Sequence, residues 1–304
     1  MKTTTAALGT LVLGASLATL QACRHQAPKA HIETAALLAG LAQAKQPATA
    51  TSSVQAACAL DDGCLCAETA ARAALDADLH DLALRMLGAA PKGCPHEATL
   101  LGERAEALAR AGSDSAQSAA DLALKANASN PYAELALARI IYDKDKMGES
   151  SEHAAKALKF GRGAEAERLL GRSAMARSLF KEAEAHFQSL LRANPNDAEA
   201  AYSSAVCADK AGDYRGAREG FLQTLRIDPK HIPARVHLVV LTHNAGANDE
   251  ARHHLAKLTE IVPKDSPEVG QLTQLLAGAD ADGGAPHATG LTQINGGVVP
   301  PGMH

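Results

Sequence analysis

AEAHFQSLLRANP (183–195) returns 34 residues later as AREGFLQTLRIDP (217–229), and after another 34 residues as ARHHLAKLTEIVP (251–263). Each copy begins with alanine, has a large apolar residue at its fifth position and ends in proline. Gly212 and Gly246 each stand seventeen residues before the proline of their own copy. A fixed period of this length predicts one supersecondary unit per copy, with neighbouring units stacked to share a core.

The period and its fixed positions resemble the tetratricopeptide repeat (TPR), a helix-turn-helix unit. Gly171 falls at the eighth position of the copy 164–197, where the family has a small residue that lets two helices approach closely. Counting upstream, the resemblance continues less regularly through 134–163, 98–133 and 64–97, with Pro131 closing the second unit and a turn at 143–151. It implies an all-α fold, a right-handed superhelical TPR solenoid of about six repeats with a C-terminal capping helix. An irregular helical bundle before residue 164 is the alternative.

Composition agrees with helix stacks that pack through alanine. The 304 residues include four Phe, four Tyr and no Trp, which is a small aromatic supply for a compact core. The formal net charge of −4 and the pI of about 6.3 argue against a general nucleic-acid binder. We therefore expect no nucleic-acid partner.

The N-terminus has the pattern of an export signal. Lys2 is followed by an apolar segment at 6–20, which is short for a membrane span and typical of a signal peptide. Leu20-Gln21-Ala22-Cys23 resembles the bacterial lipobox, a resemblance that implies acylation of Cys23, including palmitate. Arg24 in place of Asp implies, in that family, export to the outer membrane. An ordinary secretory signal with a coincidental cysteine is the alternative.

These patterns divide the chain into six segments. We predict a signal peptide at 1–22, a lipidated tether with a short helix and a linker at 23–57, irregular cysteine-containing helical repeats at 58–163, regular TPR repeats at 164–265, a capping helix at 266–277 and a disordered Gly/Pro-rich tail at 278–304.

Four cysteines cluster around the first repeat, and in an oxidising compartment such a cluster favours disulfides. The candidates are Cys58, Cys64, Cys66 and Cys94. Antiparallel helices bring the start of the first helix close to the end of the second, which favours Cys66–Cys94 with Cys58–Cys64. The pairing Cys64–Cys94 with Cys58–Cys66 remains open. A thiol or metal enzyme using this cluster is the functional alternative, although the paired spacings of zinc sites are absent.

The resemblance also implies a concave groove lined by the first helix of each repeat. Carried over position by position, the candidate partner-binding residues are Arg168, Arg172, Tyr202, Val206, Val236 and Val240. The two arginines lie four residues apart, on one helical face, where they could grip a carboxylate or an acidic segment of a partner. The alternative is that they pair with Glu165 or Glu199. The valines and the tyrosine would supply an apolar floor for an extended or helical peptide.

No catalytic, cofactor-binding or metal-binding motif stands out. We expect a non-catalytic, lipid-anchored scaffold on the outer membrane, facing the periplasm, that binds protein partners. It is similar in layout to pilotin-type and other envelope-assembly repeat lipoproteins. An adaptor that tethers peptidoglycan-modifying enzymes is the alternative within the same class of interaction protein.

Overall fold

The structure is a computed structural model that describes Val54 and residues 63–263 and 265–281. The signal peptide, Cys23, Cys58, the tether apart from Val54, and the tail after residue 281 lie outside the described residues. All regular elements in the described part are helices. They are α1 (Gly63–Asp76), α2 (His80–Ala89), α3 (Glu97–Arg110), α4 (Ala116–Ala126), α5 (Pro131–Tyr142), α6 (Met147–Lys159), α7 (Gly163–Ala176), α8 (Phe180–Ala193), α9 (Ala198–Lys210), α10 (Tyr214–Ile227), α11 (Ile232–Asn244), α12 (Asn248–Thr259) and α13 (Pro267–Ala281).

The first twelve helices form six helix-turn-helix hairpins, so the predicted all-α TPR fold is confirmed and the irregular bundle upstream of residue 164 is wrong. Two compact units are present. The first extends to Leu137 and the second begins at Ala138, so the division falls within α5. None of the helices in the described part is both long and apolar enough to cross a bilayer.

The predicted boundary between the second and third repeats is wrong. Pro131 does not close a repeat but is the first residue of α5, a position where its fixed φ is favourable and its missing N–H is not needed. The buried Asn130 precedes it, and its Oδ1 accepts hydrogen bonds from the backbone N–H groups of Tyr132 and Ala133. The predicted turn at 143–151 is also too long, because α6 begins at Met147.

The true register is visible at the turn inside each hairpin. One residue with positive φ follows the first helix every time, and the six residues are Asp78, Gly112, Asp145, Ser178, Gly212 and Gly246. Their spacings are 34, 33, 33, 34 and 34 residues, so the upstream repeats keep the period while losing consensus residues. Three of the six positions carry a side chain in a backbone region that favours glycine.

The first unit packs α1, α2 and α3 around small and aliphatic side chains. Val54, Ala70, Ala74 and Leu75 are fully buried within this cluster. A disulfide joins Cys64, near the start of α1, to Cys94, beyond the end of α2, with 5.5 Å between the two Cα atoms.

The Cys66–Cys94 pairing is therefore wrong, and Cys64–Cys94 is the pairing that forms. Residues two apart on a helix point about 200° away from each other, so only one of Cys64 and Cys66 can face Cys94. Cys66 is buried on the other side of α1 and is itself disulfide-bonded.

The second unit is organised around the residues that repeat with period 34. Ala183, Ala217 and Ala251 have no exposed surface, and Phe187 and Phe221 are the two largest fully buried side chains in the described part of the chain. A Cβ added to Gly171 would lie 2.8 Å from the ring of Phe187. Gly171 therefore permits the close approach of α7 and α8, as its position in the repeat predicts.

The last helix covers the end of the second unit. Ser266 caps α13, with its Oγ accepting from the backbone N–H of Val269 at 3.4 Å. Val269, Leu272 and Leu276 are buried against the core of α11 and α12. Without α13, the apolar face that α11 and α12 present to it would be exposed to water. The helix therefore completes the terminal repeat.

Candidate partner-binding surface

The candidate surface lies on the first helices of the hairpins in the second unit. We call it the first-helix face and define it by Tyr142 of α5, Arg172 of α7, Tyr202 and Val206 of α9, and Val236 and Val240 of α11. All six side chains are partly exposed. Contacts between successive first helices, described next, fix their relative positions.

Arg168, which was predicted to bind a partner, is occupied within the protein. Its Nη2 donates to Oδ2 of Asp197 at 2.9 Å, and its Nε lies 3.9 Å from Glu165. Asp197 is also the N-cap of α9, where its Oδ1 accepts from the backbone N–H of Ala200. Arg168 therefore links α7 to the start of α9. Its main partner is Asp197, and it also lies near Glu165, the partner named in the alternative prediction.

Glu165 extends this row of charges to the neighbouring helix. Its Oε2 lies 3.5 Å from Nη2 of Arg139 on α5. Arg139, Glu165, Arg168 and Asp197 thus alternate in sign across three helices. The side chains are partly exposed, so we attribute only modest stability to each pair.

Arg172 has a different environment, although it stands one turn from Arg168 on the same helix. Its guanidinium carbon lies 5.1 Å from the centre of the Tyr142 ring. In the described part of the chain it has no carboxylate partner. A guanidinium above an aromatic ring is attracted to the ring face, while its N–H groups remain able to donate in its own plane.

Tyr202 joins α9 to α11 through rings. Its ring centre lies 4.8 Å from that of His231, 5.7 Å from that of His237 and 5.9 Å from that of Phe221. His237 stacks on Phe221 at 4.9 Å. His231 is the N-cap of α11, with Nδ1 accepting from the backbone N–H of Ala234. This cluster holds the apolar part of the face in place.

Burial determines the protonation of these rings. It raises the pKa of Tyr202 to about 12, with a further contribution from Glu199. It lowers the pKa of His237, although the charge of Asp209 opposes the shift. Both rings are therefore neutral at pH 7 and add no charge to this part of the protein.

The three valines complete the apolar part. Val206 packs against the core shared by α9, α10 and α11, and Val236 and Val240 pack against the core of α11, α12 and α13. Each retains some exposed surface. They are anchored by burial on one side and available on the other, which is the geometry needed to receive apolar side chains of a ligand.

Sequence reasoning missed Tyr142, His231 and His237. Tyr142 was not considered, because the groove positions were carried over only to the repeats from residue 164 onward. Counting from Pro131 puts Tyr142 at the twelfth position, which points to the groove in the family. No sequence signal identifies the two histidines, because their roles depend on ring contacts between α9, α10 and α11.

The cysteines of the described part do not support thiol chemistry. Cys64, Cys66 and Cys94 are disulfide-bonded. Cys207 is a free thiol, but it is fully buried, and burial raises its pKa to about 12, with Glu184 adding to the shift. A thiol that stays protonated is a poor nucleophile and a poor metal ligand.

Within residues 63–263 and 265–278, neither a metal site nor an enclosed pocket offers an alternative to the first-helix face. No group of three or more His, Cys, Asp or Glu side chains there has the placement to hold a metal ion. An open cleft of about 450 Å³ lies at the turn between α7 and α8, and Leu179 and Phe180 contribute to its lining. Its lining also includes Ser178, Lys181 and Glu182, and the cleft is open to solvent.

The first unit carries a separate buried charge cluster. Glu103 of α3 has a fully buried side chain, and its Oε1 accepts from Nη2 of Arg72 at 3.2 Å. Burial raises the pKa of Glu103 to about 8, although Arg72 opposes the shift. Arg72 also pairs with Glu68 at 2.7 Å.

Comparison with protein-family models matches residues 168–232 and 210–276 to tetratricopeptide repeats. Comparison with curated proteins finds no match. Among solved structures, PilF of Pseudomonas aeruginosa has a TM-score of 0.57 at 16% identity, covering 70% of this chain and 98% of PilF.

YrrB, described as a TPR protein with an unusual peptide-binding site, has a TM-score of 0.52 at 22% identity. That alignment covers 58% of this chain and 92% of YrrB. MamA from Desulfovibrio magneticus RS-1 has a TM-score of 0.50 at 18% identity, covering 54% of this chain and 94% of MamA. At these identities the likeness is one of fold.

Proposed function

We propose that the chain, whose residues 168–276 match tetratricopeptide-repeat models, is a non-catalytic scaffold that binds a protein partner through the first-helix face of its second unit. The observation that carries this proposal is a partly exposed apolar strip of Tyr202, Val206, Val236 and Val240, held by rings and core contacts. The YrrB structure, named for its peptide-binding site, supports the idea that this fold can carry one.

We further propose that the scaffold is anchored to the outer membrane through acylated Cys23, faces the periplasm and assists assembly of an envelope machine. The support for the anchor is the sequence Leu20-Gln21-Ala22-Cys23 after an apolar segment. The disulfide between Cys64 and Cys94 supports an oxidising compartment, since such bonds are rare in the cytosol.

Partner binding is tested by affinity purification from envelope membranes with the full-length chain and a Val206→Gln variant. Gln preserves helix propensity and places an amide on the apolar strip, so co-purified proteins should be lost while the fold persists. Leu122→Gln is the matched control, because Leu122 is 53% exposed on α4, in the first unit. Co-purification unchanged by Val206→Gln and Val240→Gln would reject the surface.

The anchor is tested separately by fractionation of cells that express Cys23→Ala. The wild type should be found in outer-membrane fractions and should show globomycin-sensitive processing. The variant should leave those fractions, because it lacks the acylated side chain. A variant that stays in the outer membrane would contradict the proposed anchor without affecting the proposed binding surface.

A further inference from the structure

Four arginines stand on the first helices of the second unit. Arg235 is buried and donates to the backbone carbonyl of Pro229, while Arg139, Arg168 and Arg172 are partly exposed. Among these three, one has no carboxylate partner in the described part of the chain. Arg139 pairs with Glu165, and Arg168 pairs with Asp197. Arg172 has no anionic partner in the part of the chain that the structure describes, and its guanidinium lies over Tyr142. Arg139 and Arg168 are thus neutralised by carboxylates, whereas Arg172 is a cation that can bind an acid.

The surroundings of Arg172 favour binding of an anion from outside. The contact with Tyr142 orients the guanidinium, so less side-chain freedom is lost when a ligand binds. A planar guanidinium presents paired N–H donors that match the two oxygens of a carboxylate. Arg172 and Arg168 are one turn apart, and Arg168 contacts the N-cap of α9. Arg172 is therefore level with the next turn of α9, which carries Tyr202.

An apolar strip begins at that point. Tyr202 and Val206 lie on α9, and Val236 and Val240 lie on the next first helix, α11. The cation is thus at one end of the strip. A ligand that satisfies both parts has a negative charge and, next to it, apolar side chains.

This proposal rests on the function proposed above: we propose that the partner segment contains an acidic side chain, which Arg172 binds, and adjacent apolar residues, which cover Tyr202, Val206 and Val240. Charge complementarity selects this occupant, because an apolar segment without an acid would leave Arg172 beside it and unpaired. Arg168 stabilises the surface through its ion pair with Asp197. It does not contact the partner.

The test selects binders from a random twelve-residue peptide library, displayed with both peptide ends attached, on the full-length protein. Peptides selected by the wild type should be enriched in Asp or Glu next to a group of apolar residues. Selection on Arg172→Gln should retain the apolar preference and lose the acidic one. A selected peptide should bind Arg172→Gln about tenfold more weakly than wild type, as expected for one partly exposed charge-assisted hydrogen-bonded pair.

Arg177→Gln is the matched control, because Arg177 is an exposed arginine at the C-cap of the same helix. It should leave both preferences unchanged. Apolar enrichment without acidic enrichment, or acidic enrichment that survives Arg172→Gln, would overturn this inference and leave the binding surface intact. Failure to enrich any peptide family that depends on Val206 would overturn the binding surface and this inference together.

Discussion

The buried carboxyl of Glu103 should make the free energy of unfolding depend on pH. Replacing Glu103 with Gln should remove this dependence. The folded protein raises the pKa of this carboxyl from 4.5 to about 8, chiefly by burial. A raised pKa in an acid means that the folded state retains the proton after the unfolded state has lost it. Stability from this group is therefore complete below pH 4.5 and is lost as pH rises to about 8.

The size of the effect follows from the pKa difference. Between pH 6 and pH 8 the unfolded carboxyl is already ionised, while the folded one still holds its proton. Each pH unit in that interval corresponds to about 1.4 kcal/mol, so the wild type should lose about 2–3 kcal/mol relative to Glu103→Gln. Gln keeps the shape of Glu and can still accept a hydrogen bond from Arg72.

Urea unfolding at pH 6, 7, 8 and 9 measures this difference. With a urea m-value of about 1–3 kcal/mol/M, the gap between the midpoints of the two proteins should change by about 0.7–3 M. Glu97→Gln is the control, because Glu97 is exposed on the same helix. Parallel pH profiles for the wild type and Glu103→Gln would refute the argument that burial outweighs the attraction of Arg72.

Three further changes test the repeats themselves. Removing the disulfide with Cys64→Ala and Cys94→Ala together should lower the free energy of unfolding by about 3 kcal/mol on the chain-entropy model, and an unchanged thermal midpoint relative to the oxidised wild type would contradict this. Ser178→Gly should raise it by about 0.5–1 kcal/mol, because the φ of +60° is strained for serine and part of the gain is offset by greater freedom when unfolded. Chemical denaturation that shows a loss would refute that account of the turn. Arg168→Gln should lower it by about 1 kcal/mol through loss of the half-buried pair with Asp197, and the loss should shrink at high salt. A salt-independent loss would show that packing dominates.

The fold was predictable where the repeats carry large side chains and glycine at fixed places. Phe187, Phe221 and Gly171 mark positions at which the stack permits few alternatives, and their spacing is visible in the sequence. The upstream register was misread at Pro131, because proline can either end one repeat or begin the next helix. The positive φ of Asp145 settles the register, and a serine or aspartate in that role cannot be recognised from residue type.

The candidate surface was predictable only in part. Position counting identified Arg168 and Arg172 together, and nothing in the sequence separates them. Asp197 is 29 residues from Arg168, so their ion pair depends on how α7 and α9 stack. The environment of Arg172 depends on stacking in the same way, because the ring that it contacts belongs to Tyr142, on the preceding hairpin.

Photocrosslinking in the living cell tests most directly whether the first-helix face binds a partner. A photoreactive amino acid is placed at Val206 or Val240, and at Arg226 as a control, because Arg226 is exposed on α10, a second helix of the same unit. We predict that Val206 and Val240 crosslink to the same envelope protein and that Arg226 does not. Crosslinking of that protein at Arg226, with none at Val206 and Val240, would contradict it.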